Sequence, residues 1–368
     1  MQKKILYITN QICGPGGLER VLSIKASYFA DNMDYEVHIL TLNQYDLPLF
    51  YNFSSKIIYH DIIAKRSSFK YFLEYKKGIN RIVNQVCPDV ICVCDDGLKG
   101  LFVPLYLSRK TPIIYERHTV KKVFESSEKS NLVNRLKYGF KNRLADWGSK
   151  LFDKFIVLTN QNANEWPKAD ISVIPNPISF YTSDPSNLKS KKVISVGTMS
   201  HVKGFDLLLK AWRTVIDKHP DWELEIYGKP LLRNELVQLS QELGIENNVE
   251  FNDPVVDIEA KYRQASIYVL SSRFEGFGMV LIEAMACGLP CVSFNCPSGP
   301  ADIITDNEDG YLVTANDINL LSEKIISLIE NETTRQLMGT IARENVKRYM
   351  PEQIVGKWDT LFKELIIS

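Results

Sequence analysis

The chain is defined first by what it lacks. Nowhere in its 368 residues does an apolar run reach the roughly 18 needed to span a bilayer. The opening MQKKILYITN has neither the apolar length nor the small-residue cleavage site of a signal peptide, so a cytoplasmic protein is expected. No low-complexity tract and no internal sequence repeat interrupts it. Histidine is scarce, at five residues. Of the seven cysteines, Cys92 and Cys94 stand close together, but no second pair completes the usual zinc spacing. In a reducing compartment such residues read as small buried thiols. Net charge is also missing, because 44 basic and 44 acidic residues cancel.

That cancellation hides a division. Residues 1–180 hold 25 Lys and Arg against 17 Asp and Glu, which is +8, and the remaining 19 against 27 give −8. Segregated charge speaks about partners more than about fold.

Apolar runs alternate with helical periodicity along the whole chain. Lys4–Thr9, Tyr35–Leu42, Asp89–Cys94, Thr111–Tyr115, Lys154–Leu158 and Ile171–Ile174 read as strands of the first half. Lys192–Val196, Trp222–Tyr227, Val249–Phe251, Ile267–Ser271, Pro290–Phe294 and Gly310–Val313 repeat the type in the second. DVICVC is continuously apolar after its first residue, as strands covered on both faces are. Strands separated by helices predict parallel sheets, here two doubly wound α/β domains joined near the turn-rich stretch 175–190. In such sheets ligands bind beyond the carboxyl ends of the strands. The glycine turns at 14–17, 197 and 276–278 all fall there, which directs attention to a cleft between the domains.

The densest signal is SSRFEGFGMVLIEAMACGLP, residues 271–290. A strand ends, a loop with two glycines follows, and a helix begins near Gly278. Backbone N–H groups at such a helix start attract anions. Glu275 lies in the loop and Glu283, eight residues on, lies on the helix. A carboxylate in that setting can take hydrogen bonds from sugar hydroxyls, but it would repel phosphate. Equally, Glu275 could cap the helix and Glu283 could be a surface charge.

The run EGFGMVLIEAMACGLP resembles the E-x7-E signature of retaining glycosyltransferases of family four, which have the GT-B fold. Gly16-Gly17-Leu18-Glu19-Arg20, Asn176-Pro177 and Gly197…Lys203-Gly204-Phe205 extend the resemblance over essentially the whole chain. It implies two Rossmann-like domains with parallel sheets facing across a cleft. Residues 1–176 would bind the acceptor and 177–350 the nucleotide-sugar donor, with a helix at about 351–368 packing back on the first. It also implies a role for each matching residue. Glu275 would lie at the donor hexose and Glu283 at the nucleotide ribose. Amides around Gly276, Phe277, Gly278 and Met279 would reach hexose and diphosphate. Gly16 and Gly17 would abut the acceptor and the donor phosphate, with no Cβ on Gly17 to keep the backbone away.

Lys203, at the start of a helix whose dipole disfavours a cation, needs an anion, and a diphosphate would supply it. Relatives often carry arginine directly after Gly197. This chain has Thr198, which cannot supply that charge. Arg273 is a candidate substitute. His118 follows the strand TPIIY on the ligand side, and relatives place a histidine beside the hexose, although a lone histidine is usually structural. Catalytic roles thus fall to Glu275, His118 and Lys203, and Arg117 could meet an acceptor phosphate.

No Asp-x-Asp motif stands in a matching context, since Asp95 and Asp96 are adjacent, so neither metal nor cofactor is expected. The expected partners are a nucleotide sugar, UDP-linked by preference, and a glycan or undecaprenyl-diphosphate-linked glycan acceptor. The turn-rich loop Cys296–Asp302 is similar to loops in relatives acting on lipid-linked glycans. Nucleic acid is not expected, because no binding motif is present and the acidic half would repel phosphate. Two basic stretches, 65–82 and 121–154, interleave cations with aromatic and apolar residues. They suit an anionic membrane surface on the inner face of the plasma membrane, or ordinary helices packed on their domain. The competing readings are a sugar-nucleotide epimerase or a phosphorylase relative on the same fold, and a catalytically silent sugar-nucleotide-binding subunit.

Overall fold

A computed structural model describes residues 2–65, 69–95, 97–108, 111–121, 132–167 and 169–367, excluding the side chains of Phe69 and residues 132–138. The chain forms two compact units, Met1–Ser179 with Pro351–Ser368, and Phe180–Met350.

In the first unit seven strands form one parallel sheet: β1 (Lys3–Thr9), β2 (Tyr35–Leu42), β3 (Ile58–Ile62), β4 (Val90–Cys94), β5 (Ile113–Glu116), β6 (Lys154–Val157) and β7 (Ile171–Val173). Their spatial order is β3-β2-β1-β4-β5-β6-β7. Every residue of β4 is buried, which accounts for its unbroken apolar sequence. β3 was not legible. Its IYHDI carries His and Asp, and its first two residues are exposed at the sheet edge, where a strand needs no second apolar face. The helix Pro351–Ile367 belongs to this unit. It buries Trp358 and Phe362, with the Phe362 ring 5.2 Å from that of Phe29, and Asp359 accepts a 2.7 Å hydrogen bond from the Tyr35 hydroxyl.

The second unit repeats the topology with six parallel strands: β8 (Lys192–Val196), β9 (Glu223–Tyr227), β10 (Val249–Asn252), β11 (Ile267–Leu270), β12 (Cys291–Asn295) and β13 (Gly310–Thr314). The order is β10-β9-β8-β11-β12-β13. Both sheets therefore follow the doubly wound order 3-2-1-4-5-6, with a switch point between the first and fourth strands of each. The helix Phe205–Lys218 buries Leu208, Ala211, Trp212 and Val215 on one face at helical spacing. Each large apolar side chain so buried contributes roughly 1.5–3 kcal/mol against the entropy of ordering the chain. Gly204, just ahead of that helix, is held by its surroundings. Its φ is +63°, and a Cβ there would lie 2.0 Å from the Ser271 carbonyl oxygen.

Candidate functional site

At the switch point of the second unit the turn after β8 meets the turn after β11. Gly197 and Met199 donate backbone hydrogen bonds to the carbonyls of Tyr227 and Lys229, both at 2.9 Å. That pairing brings β9's end so close that a Cβ on Gly228 would lie 1.8 Å from the Gly197 oxygen. The aliphatic stem of Lys203 lies beside Gly197, about where that residue's Cβ would meet it at 3.3 Å. Its Nζ reaches Glu275 Oε1 at 2.6 Å, and Ser272 Oγ donates to the same oxygen at 2.6 Å. Ser271 Oγ bonds the Lys203 carbonyl at 3.0 Å, which ties the two turns together. Lys203 and Glu275, 72 residues apart in sequence, thus form one ion pair. The lysine side chain keeps 23% of its surface and the glutamate 8%, so the ammonium stands partly exposed over a buried carboxylate. Thr198 is half-buried in the same turn.

The loop after Glu275 is braced from behind. Glu275 N donates to the Pro297 carbonyl at 3.3 Å, and Gly299, at φ +114°, would put a Cβ 1.9 Å from the Phe277 oxygen. The Phe277 ring is buried edge-on against Tyr349, so this residue turns only its backbone outward. Gly278, at φ +100°, precedes the helix Met279–Ala286, whose first amides point back to the loop. Gly276 and Met279 are half-buried around it. Glu283, on that helix, has no exposed surface, and its Oε2 accepts from the Tyr262 hydroxyl at 3.4 Å. Beside this loop burial pushes the Cys296 thiol up to about 12; Glu275 adds to the shift and Lys203 opposes it.

The remaining candidates lie in the first unit. Gly16 precedes the helix Gly17–Asn32, and a Cβ on it would meet the Glu19 carboxylate at 2.2 Å. Gly17 is exposed, and no atom lies within 4 Å of where its Cβ would stand. The protein itself therefore leaves that space open. His118 stands just past β5, its Nε2 3.5 Å from Glu116 Oε2.

Arg117 is packed inward. It is 4% exposed, its Nε donates to the Thr119 carbonyl at 3.0 Å, and its guanidinium lies 5.7 Å from the Trp166 ring. Just past the end of β5, its side chain is thus packed inward in this ligand-free structure. Arg273 is likewise committed. Its guanidinium grips Asp206 at 2.8 and 2.7 Å and the His201 carbonyl at 2.7 Å, which removes it as a substitute phosphate ligand beside Thr198. Lys121, counted above among the membrane-facing cations, is paired with Asp146 and lies over the Trp166 ring. Lys122 and the Lys137 side chain lie outside the described residues.

Two features escaped the sequence reading. Ser272 was hidden in a serine pair after a strand. Lys25 left a clearer trace: it occupies the apolar face of its helix with Val21, Leu22, Ala26 and Phe29, where a lysine needs a buried partner. Among the described residues no three His, Cys, Asp or Glu side chains are grouped so as to hold a metal ion.

Known proteins match this arrangement along the whole chain. The family model "Glycosyl transferases group 1" matches residues 182–345, and "Glycosyltransferase Family 4" matches residues 15–180. An uncharacterized glycosyltransferase of Haemophilus influenzae is 30% identical over 97% of this chain and 99% of its own. The amylovoran biosynthesis glycosyltransferase AmsD of Erwinia amylovora is 28% identical over 97% of this chain and 99% of its own. A Campylobacter jejuni α-1,4-N-acetyl-D-galactosaminyltransferase, named for an undecaprenol-linked glycan, is 25% identical over 99% of this chain and 95% of its own. Among solved structures, sucrose-phosphate synthase from Thermosynechococcus elongatus superimposes with a TM-score of 0.83 at 18% identity, covering all of both chains. Anabaena HepE in complex with UDP and glucose does so at 0.78 and 20% identity, covering 99% of this chain and 100% of that one.

Proposed function

Because the chain belongs to the family-four glycosyltransferases, with the GT-B fold, we propose that it is a retaining enzyme that moves a hexose or N-acetylhexosamine from a UDP-sugar to a glycan acceptor, lipid-linked in surface polysaccharide assembly. The observation that carries this reading is the Lys203–Glu275 pair at the switch point of the second unit. In this reading its cation would meet the diphosphate and its carboxylate the hexose hydroxyls, with the amides of the Gly278 turn as further donors. Lys203 and those amides would stabilise the leaving diphosphate without a metal. Glu283 would accept from the ribose, which reaches it only when the groups covering it shift. Gly17, with open space at its missing Cβ, would let the donor phosphate approach the backbone. The UDP and UDP-glucose complexes of HepE and the acceptor in the Campylobacter relative's name support donor and acceptor respectively.

A thermal-shift screen of UDP-, GDP- and ADP-sugars tests the donor. A ligand at a hundred times its Kd stabilises by about 2.7 kcal/mol, a shift of several degrees. UDP-sugars are expected to shift the melting point most, and Glu283→Ala is expected to cost the ribose contact about 1–3 kcal/mol, roughly tenfold or more in UDP affinity. A GDP- or ADP-sugar preference would overturn the UDP assignment, and unchanged UDP affinity in the variant would overturn the ribose role. NMR of the product anomer, α from an α-linked donor, tests retention.

A peripheral membrane position is part of the same reading. On the helix Leu132–Gly148, Phe140 is 67% exposed, Trp147 is 50% exposed and Arg143 is exposed. At spacings of three and seven residues they share one face. Lys70, Lys76 and Lys77 are exposed on the helix Phe69–Val86, as are Phe72 and Leu73. Each basic residue near an anionic surface contributes about 1 kcal/mol. The protein is expected to co-sediment with anionic vesicles at low salt and to release near 1 M salt, where the Debye length is about 3 Å. Phe140→Ser with Trp147→Ser should weaken that binding and leave UDP affinity alone. No sedimentation at low salt would contradict the membrane assignment.

A further inference from the structure

Behind His118 lies a buried charged group for which the donor site has no use. Glu116, the last residue of β5, is 2% exposed, and Lys25, from the helix Gly17–Asn32, is 1% exposed. Lys25 Nζ is ion-paired with Glu116 Oε2. The same ammonium lies 3.9 Å from the centroid of the Trp358 ring and 5.2 Å from that of Tyr7, so it is enclosed by carboxylate and aromatic faces. His118 Nε2 is 3.5 Å from the same carboxylate oxygen. Glu116 closes β5 and His118 stands two residues past it, so the two side chains meet where the strand ends.

A buried ion pair adds little net stability, because desolvating two charges consumes most of their attraction. What it supplies is fixed geometry. Burial alone would raise the Glu116 carboxyl, but the Lys25 ammonium and the His118 ring outweigh it and hold it down to about 2. The other titratable groups facing the pair are the Tyr7 hydroxyl on β1 and the Cys92 and Cys94 thiols on β4. Burial pushes all three up, with the Glu116 charge adding to it, so they stay neutral. Among neutral hydroxyl and thiol groups the carboxylate is therefore an anion with two nitrogen neighbours, one ammonium inside the fold and one imidazole just past the end of the strand.

We propose that Glu116, itself locked by Lys25, is a positioning residue for His118: it keeps a proton on Nε2 and holds the ring in one orientation for the reaction. The proposal rests on His118 serving at the donor hexose. Orientation and tautomer of a histidine are set by what its other nitrogen meets, and here a carboxylate anchored to a second element supplies that partner.

Glu116→Gln alone would strand Lys25 as a buried unpaired charge, which costs enough to unfold a domain. The informative variant is Lys25→Met/Glu116→Gln, which removes both charges and keeps both volumes. Two readouts are taken on it. The ring 15N resonances of His118, assigned by loss in His118→Gln, report the tautomer. Turnover is followed as UDP release from whichever of UDP-glucose, UDP-galactose, UDP-N-acetylglucosamine and UDP-N-acetylgalactosamine the thermal screen favours. The expected result is a folded protein in which the Nε2-protonated form gives way to a mixture, with kcat about tenfold lower and donor KM unchanged. Adding His118→Gln should then cost less than it does in the natural protein. An unchanged tautomer in the double variant would overturn the proposal. A changed tautomer with unchanged kcat would also overturn it, by showing that His118 has no part at the reacting centre although Glu116 holds it.

Discussion

Glu275→Gln is expected to bind UDP more tightly than the natural protein while turning UDP-sugars over more slowly. The ligand-free site explains the opposite signs. Lys203 Nζ rests 2.6 Å from Glu275 Oε1, so an arriving diphosphate must compete with a carboxylate for the same ammonium, and must also tolerate that carboxylate's charge. A glutamine keeps the shape and an oxygen for Ser272 and Lys203, but replaces the ion pair by a hydrogen bond from the ammonium to a neutral carbonyl. The difference, on the order of 1 kcal/mol, frees Lys203 for the diphosphate and should lower the UDP Kd roughly fivefold. In turnover the sign reverses, because the hexose loses a charged acceptor for its hydroxyls. The loss, again on the order of 1 kcal/mol for each hydroxyl that meets the carboxylate, slows kcat by roughly fivefold or more. Calorimetry with UDP and rate measurement with UDP-sugar read the two effects separately. Weaker or unchanged UDP binding in Glu275→Gln would show that the carboxylate does not compete for Lys203.

That competition could not have been read from spacing. Lys203 and Glu275 were each legible, one as a lysine at a helix start and the other as an acidic residue in a glycine loop, but their pairing spans 72 positions. The same distance effect misdirected Arg273, whose partner Asp206 is 67 residues away. It also hid the Lys25–Glu116 pair, 91 residues apart. Most of the strand framework was legible for the opposite reason. Segments such as DVICVC and KVISV lie inside parallel sheets, and burial on both faces writes itself into consecutive apolar residues. β3 escaped because an edge strand is under no such pressure. Nor does a motif show which way a side chain turns: Arg117 and His118 are adjacent, yet Arg117 lies against the Trp166 ring while His118 meets Glu116. The resemblance supplied what periodicity could not, namely the expectation that two carboxylates eight residues apart meet a sugar nucleotide. The glycines then gained physical content from the fold: Gly204, Gly228 and Gly299 are pressed by backbone oxygens, whereas nothing lies where a Cβ on Gly17 would stand.

The central claim is that the carboxyl edge of β8 and β11 receives a nucleoside diphosphate and that Lys203 is its principal cation. With a neutral Thr198 beside Gly197 and Arg273 held by Asp206, Lys203 would carry more of that load than it would beside a second cation. A charge-assisted contact to phosphate is worth about 1.5–3 kcal/mol, which is roughly ten- to a hundredfold in affinity. The loss should fall entirely on the diphosphate, because the nucleoside meets other residues. The fold should tolerate the change, since Lys203 is partly exposed, although Glu275 loses its partner. Calorimetric titration of the natural protein and of Lys203→Ala with UDP and with uridine is the most direct measurement. The expected result is a UDP Kd raised at least tenfold in Lys203→Ala with uridine affinity unchanged; equal losses for both ligands, or none for UDP, would contradict the assignment of this edge as the diphosphate site.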